Sequence, residues 1–436
     1  MDYKALNGIC EEYAQKAVEW RRDLHRHPEP AWTEFRTTAF LAKTLEEAGV
    51  PVLMGKQVVC PEYAMGYPEE SVIKAAMERA VEQGADPSYV QRTQGYTGLC
   101  AVIDTGREGP VVAIRMDIDS NDVEENRTDA HRPQKEGFAS CNTGAMHACG
   151  HDGHAVIGLI TALSLYRIRE QLQGKVKVIF QPAEEGVRGA LSVCKSGILD
   201  DVDFVLGGHI AETSDGSLQV CTNTGGYLAT DKFDVTFKGE ASHAGGSPEK
   251  GRNALLAAAL ATLGMQTQVQ DGRGMGRCNV GLLTAGTGRN VIPAQATLKA
   301  ETRGSTSEIA QDIYRHAMDS IEGAAKMYGC TYEVTKMGGA ASAQSDESLR
   351  QVVEQVVRDS LGMEPDTLRQ DLGGSEDFTY MMRTVQEHGG KAMHMFLGTR
   401  RWGSAHNEWF DFGEDVLVFS AKIFASCALR LAGRTE

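Results

Sequence analysis

The run Met146-His-Ala-Cys-Gly-His-Asp-Gly-His154 places three imidazoles and one thiol within nine residues. His147, Cys149 and His151 are spaced two apart, so an extended backbone would turn all three to one side and make a metal-binding edge. Two carboxylates follow in Gln181-Pro-Ala-Glu184-Glu185, and further imidazoles stand at His209 and His406. One soft thiolate, several imidazoles and a carboxylate suit zinc or a similar divalent ion. Adjacent side chains of an extended chain point apart, so Glu184 and Glu185 can serve different partners. One carboxylate can bind a metal, which lowers the pKa of a bound water to roughly 7. The other can take that water's proton and pass it to a leaving amine, which is the chemistry of amide hydrolysis.

A lone Cys or His is usually a packing residue, but this clustering argues otherwise. Within the run, His147 and His154 are the two best explained by packing or hydrogen bonding, His154 falling in the first turn of the next helix. Asp117 and Asp119 are placed to orient a ligand histidine from behind. His25 and His27, before Pro28, read as structural, and the 16 methionines as core filler.

The elements that must position these residues alternate. Tyr13 to His27, Glu34 to Ala48 and Asp152 to Leu172 read as helices. Leu99–Ile103, Val111–Ile114, Val176–Phe180 and Phe204–Leu206 are short apolar runs that read as buried strands. The pattern predicts an α/β domain with a mostly parallel sheet and helices on both faces. Asp117 and Asp119, Glu184 and Glu185, and His209 each follow one such run, at the strand ends where open sheets bind ligands. The last strand, His394–Leu397, leads toward His406.

The character changes near Thr230. Asp231–Lys238, Val280–Leu283, Ala296–Glu301 and Thr331–Thr335 read as strands, with helices at Asn253–Gln268 and Ser307–Tyr328. The order β-α-β-β-α-β predicts an inserted ferredoxin-like α+β domain. The expected organisation is therefore a catalytic domain from residues 1–229 and 341–436, an inserted domain at 230–340, and a helical insertion at 56–96. In that insertion Ile73, Ala76, Met77, Ala80 and Val81 mark one helix face, with Gly84 at the C-cap position. Three roles stay open for it: docking on the body, closing as a lid, or meeting a partner subunit.

A length of 436 residues points to two domains, and 42% hydrophobic with 24% charged residues to an ordinary globular protein. A net charge of −15 argues against nucleic acid and anionic membrane as partners. No export signal or membrane-spanning run is visible, and the ten cysteines show no repeating spacing, so reduced thiols in the cytoplasm are expected.

The chain resembles the metal-dependent aminoacylase and carboxypeptidase family that includes auxin-amino-acid hydrolases and hippurate hydrolases. The resemblance rests on Arg115-Met-Asp-Ile-Asp119, the Met146–His154 run, Gln181–Glu185, Gly208-His209, Gly239-Glu-Ala-Ser-His-Ala244, Gly374-Ser-Glu-Asp-Phe378 and Ala405-His406-Asn407. The Lys56–Tyr96 insertion and the stretch His131-Arg132-Pro133 to Asn142 narrow it to one branch. The resemblance implies two divalent ions, Mn or Zn, held by Cys149, His151, Glu185, His209 and His406. It implies Glu184 as general base, supported by Asp119, and His243 as a catalytic and substrate-binding residue on a lid or dimerisation domain. Asn290 and Arg303 would hold a substrate carboxylate. The implied reaction cleaves the amide between an aryl acyl group and an amino acid, with p-aminobenzoyl-glutamate as first substrate. A homodimer or a heterodimer with a related subunit would carry it out. The alternatives are another N-acyl amino acid or dipeptide substrate, or a non-catalytic subunit. Two positions depart from the family pattern: polar Ser120-Asn121-Asp122 after the second aspartate, and Gly208 before His209.

Overall fold

Apolar runs without polar alternation belong to strands covered on both faces, and Val111–Asp117 is buried at every residue. The computed structural model describes residues 2–267 and 269–434. Met1, Gln268, Thr435 and Glu436 lie outside them, and with Gln268 the expected end of one helix. The described residues form two compact units.

The first unit comprises Met1–Gly225, Ala343–Asp371 and Tyr380–Glu436 over its described residues. Its large sheet has seven strands. Four inner strands, Lys175–Gln181, Val111–Asp117, Phe204–Glu212 and Lys391–Thr399, neighbour one another in that order and run parallel. Leu99–Asp104 and then Val52–Met54 extend one side antiparallel, and Gln219–Cys221 the other. The helices His151–Arg167 and Val416–Ala432 pack on each other and on the sheet. His151–Arg167 is buried from His151 through Leu165, which explains why it lacks an amphipathic period.

Two elements differ from the sequence expectation. The strand at Phe204 runs on to Glu212, so His209 lies inside it rather than beyond it. Gly207 and Gly208 interrupt the apolar run without interrupting the backbone ladder, where His209 pairs with Phe396. A Cβ on Gly208 would come within 3.0 Å of the Phe424 ring, so the departure from the family pattern makes room for that ring. The helix expected over Asp152–Leu172 spans His151–Arg167, followed by a 3₁₀ turn at Arg169–Gln171.

The insertion's helix, Glu70–Glu82, buries Ile73, Ala76 and Ala80 against Phe35, Ala39 and Val90, so its stripe docks on the body of its own unit. It ends as the glycine signalled. Gly84 takes φ +91°, its N–H donates to Val81 O (3.0 Å), and the Ala85 N–H donates to Ala80 O (2.9 Å).

A buried ionic network ties the start of helix His151–Arg167 to the rest of this unit. Arg21, fully buried on helix Ala14–Arg26, donates to Asp152 (2.8 Å) and Asp411 (2.8 Å). His25 bridges Asp152 (2.9 Å) and Glu125 (3.0 Å), and His131 reaches the same Glu125 oxygen (2.9 Å). His25 is thus structural. Burial and nearby Arg21 oppose its charging, but the Asp152 and Glu125 carboxylates outweigh them and raise it to about 9.

The second unit comprises Gly226–Ser342 and Leu372–Thr379. Its strands Ala229–Lys238, Gly276–Ala285, Gln295–Gly304 and Thr331–Ala340 form one antiparallel sheet. From edge to edge the order is fourth, first, third, second. Helices Ala254–Thr267 and Ser307–Met327 follow the first and third strands and cover the face carrying Phe233, Val235, Phe237 and Leu298. Among the described residues no helix is long and apolar enough to cross a membrane.

A histidine whose folded pKa is raised contributes stability below its unfolded pKa near 6.5 and loses it as pH rises through the folded value of about 9. Urea denaturation from pH 6.5 to past 9 should therefore show a stability loss in the wild type that is reduced in His25→Gln. Parallel pH profiles for the two proteins would remove His25 from this role.

Candidate metal centre

Cys149 precedes Gly150, whose φ of +93° turns the chain into helix His151–Arg167. That left-handed step, open to glycine, ends any extended alternation. The expected single edge of His147, Cys149 and His151 is therefore not formed. Cys149 and His151 come together across the turn. His147 is buried with neither ring nitrogen hydrogen-bonded, lies 6.4 Å from the His25 ring, and is held neutral by burial, which lowers it to about 3. Both ring nitrogens of His154 are engaged. Its Nδ1 pairs with Asp117 and its Nε2 accepts the Ile210 N–H (2.9 Å).

Cys149, His151 and His209 offer ligand atoms within 4.8 Å of one another, and so do Cys149, Glu185 and His406. A third trio, His151, Glu184 and Glu185, meets the same criterion of 4.8 Å. Cys149, His151 and Glu185 each belong to two of these three trios. The donor set (one sulfur, three imidazole nitrogens, carboxylate oxygens) fits divalent transition metals.

Backbone carbonyls fix which nitrogen faces the centre. His151 Nδ1–H donates to the Asp119 carbonyl (2.9 Å), leaving buried Nε2 without a hydrogen-bond partner. His209 Nδ1–H donates to the Ile210 carbonyl (2.8 Å), leaving Nε2 at 3.4 Å from Cys149 Sγ. His406 sits in the left-handed region at φ +62°. Its N–H donates to Ala148 O (2.8 Å), and its Nε2 lies 3.3 Å from Glu185 Oε1.

Asp119 works through the backbone. Its carboxylate accepts the N–H groups of Glu184 (3.0 Å) and Glu185 (2.8 Å). Two further residues carried no recognisable signal in the sequence. Glu34 Oε1 accepts the N–H of Ala183 (2.8 Å), which itself sits at φ +54°. Asn121 Oδ1 accepts the Ala148 N–H (3.0 Å), and its backbone pairs both ways with Met146. Asn121 belongs to the polar departure from the family pattern, the one hint available.

Opposite charges within the cluster hold one another. Burial would raise the Cys149 thiol, but His209 beside it brings it down to about 6. Burial would lower His209, but the Cys149 thiolate raises it to about 9. Burial would raise Glu185, but His406 and His151 hold it down to about 2. Hydrogen bonds to Cys149 and Glu185 raise His406 to about 10.

The other expected residues lie in the second unit. His243 is exposed, and its Nδ1 accepts the N–H groups of Gly245 (3.1 Å) and Gly246 (2.9 Å), so its neutral ring carries the proton on Nε2. The neighbouring Ala244 N–H donates to the carbonyl of Asn290, itself exposed (3.0 Å). Arg303 is half-buried, with its guanidinium forked onto Glu301 (2.9 and 3.0 Å) and reaching Ser375 Oγ (3.3 Å). It lines a cleft of about 520 Å³ with Arg277 and Asn279.

Thiolate, imidazoles and paired carboxylates at the carboxyl ends of a parallel sheet define the class: a metal-dependent hydrolase. The chain belongs to peptidase family M20/M25/M40, whose pattern matches residues 113–430. It is 42% identical to one of the subunits of the p-aminobenzoyl-glutamate hydrolase of Escherichia coli, over 98% of each chain. It is 44% identical to an indole-3-acetyl-aspartic acid hydrolase of Enterobacter agglomerans, over 97% of this chain and 98% of that one. Among solved structures, an aminobenzoyl-glutamate utilization protein from Klebsiella pneumoniae superposes with a TM-score of 0.84 at 37% identity, covering 97% and 98% of the two chains.

Metal-stripped protein should gain thermal stability when Mn²⁺ or Zn²⁺ is restored, by about 2.7 kcal/mol at a hundredfold excess over Kd. Cys149→Ala removes the sulfur that the His151–His209 and Glu185–His406 pairs share and should lose most of that gain along with bound metal, read by melting curves and elemental analysis. Equal metal content and equal gain in the variant would show that Cys149 is not a ligand.

Proposed function

We propose that this chain hydrolyses the amide bond between an aryl acyl group and an amino acid, with p-aminobenzoyl-glutamate, giving p-aminobenzoate and glutamate, as its first substrate. The single observation that carries the reading is the convergence of Cys149, His151, Glu185, His209 and His406, with Glu184 beside His151 and Glu185. The relatives add the substrate class. One acts on an aminobenzoyl and one on an indolylacetyl conjugate of an acidic amino acid.

In this reading the five converging residues hold two divalent ions, manganese or zinc. Such ions, when bound, polarise the scissile carbonyl and acidify a water to near neutrality. Glu184 takes the proton of the attacking water and returns it to the departing amine. Asp119, bonded to the N–H groups of Glu184 and Glu185, keeps the two carboxylates in their separate roles. His243 donates its Nε2–H to the developing oxyanion, a contact worth roughly 3–4 kcal/mol where a single donor is lost. Asn290 and Arg303 take the amino-acid carboxylate, for which Arg303 would exchange its fork onto Glu301.

We further propose that the unit carrying His243 is a ferredoxin-like lid and dimerisation domain spanning about residues 230–340, and that the 56–96 insertion belongs to the catalytic domain. The protein would act in the cytoplasm on folate breakdown products, as a homodimer or with a related subunit. The β-α-β-β-α-β order of the second unit supports the ferredoxin-like reading.

The purified chain, supplied with Mn²⁺, Zn²⁺ or Co²⁺, should release p-aminobenzoate from p-aminobenzoyl-glutamate. Faster turnover of indole-3-acetyl-aspartate or of an aliphatic N-acyl amino acid would reassign the substrate. No turnover of any amide in the panel would leave a non-catalytic subunit. Glu184→Gln should retain its metal and lose about 10²–10⁴-fold in turnover. A variant keeping a tenth of wild-type activity would take Glu184 out of the base role.

A further inference from the structure

His406 stands at the tip of a hairpin formed by Arg401–Trp402 and Asp411–Phe412, in which Trp402 pairs with Asp411. Two tryptophans flank it, Trp402 on the incoming strand and Trp409 on the outgoing side of the tip. The shoulders are closely packed, since a Cβ on Gly403, at φ +69°, would lie 2.8 Å from the Trp409 carbonyl carbon. Trp409 is fixed in turn by its N–H bond to Asn407 Oδ1 (3.0 Å).

Exposure is selective along this hairpin. Phe410 and Phe412 are buried, at 1% and 0%, while Trp402 and Trp409 are 41% and 37% exposed. Two large indoles left more than a third exposed on one hairpin forgo hydrophobic stabilisation. Consecutive residues of one segment brace them. The His131 ring stands perpendicular to Trp409 at 6.0 Å, and the Arg132 guanidinium lies 5.4 Å from the Trp402 ring. Both braces are themselves locked, His131 by Glu125 (2.9 Å) and Arg132 by Asp411 (2.8 Å). The Asn126 N–H to Glu408 O bond (3.1 Å) ties the same stretch to the tip. Residues 131 and 132 begin the His131–Asn142 stretch singled out in the sequence, for which the metal centre has no use.

We propose that Trp402 and Trp409 form the subsite for the aryl acyl group, with His131 and Arg132 as the residues that position them. The inference rests on the aryl-amide reading and names the side chains that select the acyl half. A planar ring gains offset stacking on an indole that an aliphatic acyl group cannot match. The same hairpin carries His406, which follows Trp402 and precedes Trp409.

The test compares kcat/KM for N-benzoyl-glutamate and N-acetyl-glutamate in the metal-loaded wild type, Trp409→Leu and Trp402→Leu, with folding checked by circular dichroism. The benzoyl-to-acetyl ratio should fall by about tenfold in the Leu variants, chiefly through KM, and recover in Trp409→Phe. An unchanged ratio in both Leu variants, or equal losses on both substrates, overturns the subsite. If the wild type cleaves neither amide, the failure lies with the aryl-amide reading, and the subsite is judged by binding. Benzoate should then quench indole fluorescence more strongly than cyclohexanecarboxylate does, an effect lost in Trp409→Leu. Equal quenching by the two acids overturns it.

Discussion

Cys149 Sγ and His209 Nε2 lie 3.4 Å apart, the thiol buried and the imidazole partly so. Burial pushes the thiol toward neutrality and the imidazole likewise, yet each carries its charge because the other does. The same reciprocity joins Glu185 to His406. The candidate centre is therefore a set of mutually dependent charges, in which Cys149 and Glu185 are held in the anionic form a metal takes and the imidazoles beside them would give up a proton to bind one. Divalent ions placed among these donors would take over the role that the imidazolium protons play in their absence.

Such a set holds together only if its geometry is imposed from outside, and backbone hydrogen bonds impose it. The Asp119 carbonyl and the Ile210 carbonyl select the ring nitrogens that face inward, and the Asp119 carboxylate and Glu34 grip three successive N–H groups, from Ala183 to Glu185. Ala183 and His406 both adopt left-handed backbone angles, held by the Ala183 N–H bond to Glu34 and the His406 N–H bond to Ala148 O. Beneath them, Arg21, His25, Asp152, Glu125 and Asp411 couple the helix start at His151 to the hairpin that presents His406.

Much of this was legible in the chain before any coordinates. Metal chemistry admits few residue types, so the Met146–His154 run and Glu184-Glu185 stand out by composition. Strand and helix periods placed them at sheet ends. The failures have specific causes. His147 shares the spacing of Cys149 and His151, but Gly150 breaks the extended backbone on which that spacing argument depends. Gly207-Gly208 looks like a strand end, yet ladder bonds to Lys391–Thr399 carry the strand past His209. Leu372–Thr379 clusters with the second unit although nothing in its composition marks it.

The sequence by itself determined the donor types, the alternation of elements and the family resemblance, because each is written in residue identity and local period. Tertiary structure alone decided which histidines face the candidate centre, which carboxylate grips backbone and which faces inward, and that Glu34 and Asn121 hold the loops that carry them. Those outcomes turn on hydrogen bonds and ring contacts between residues tens of positions apart, and no local pattern records which distant donor will arrive within 3 Å.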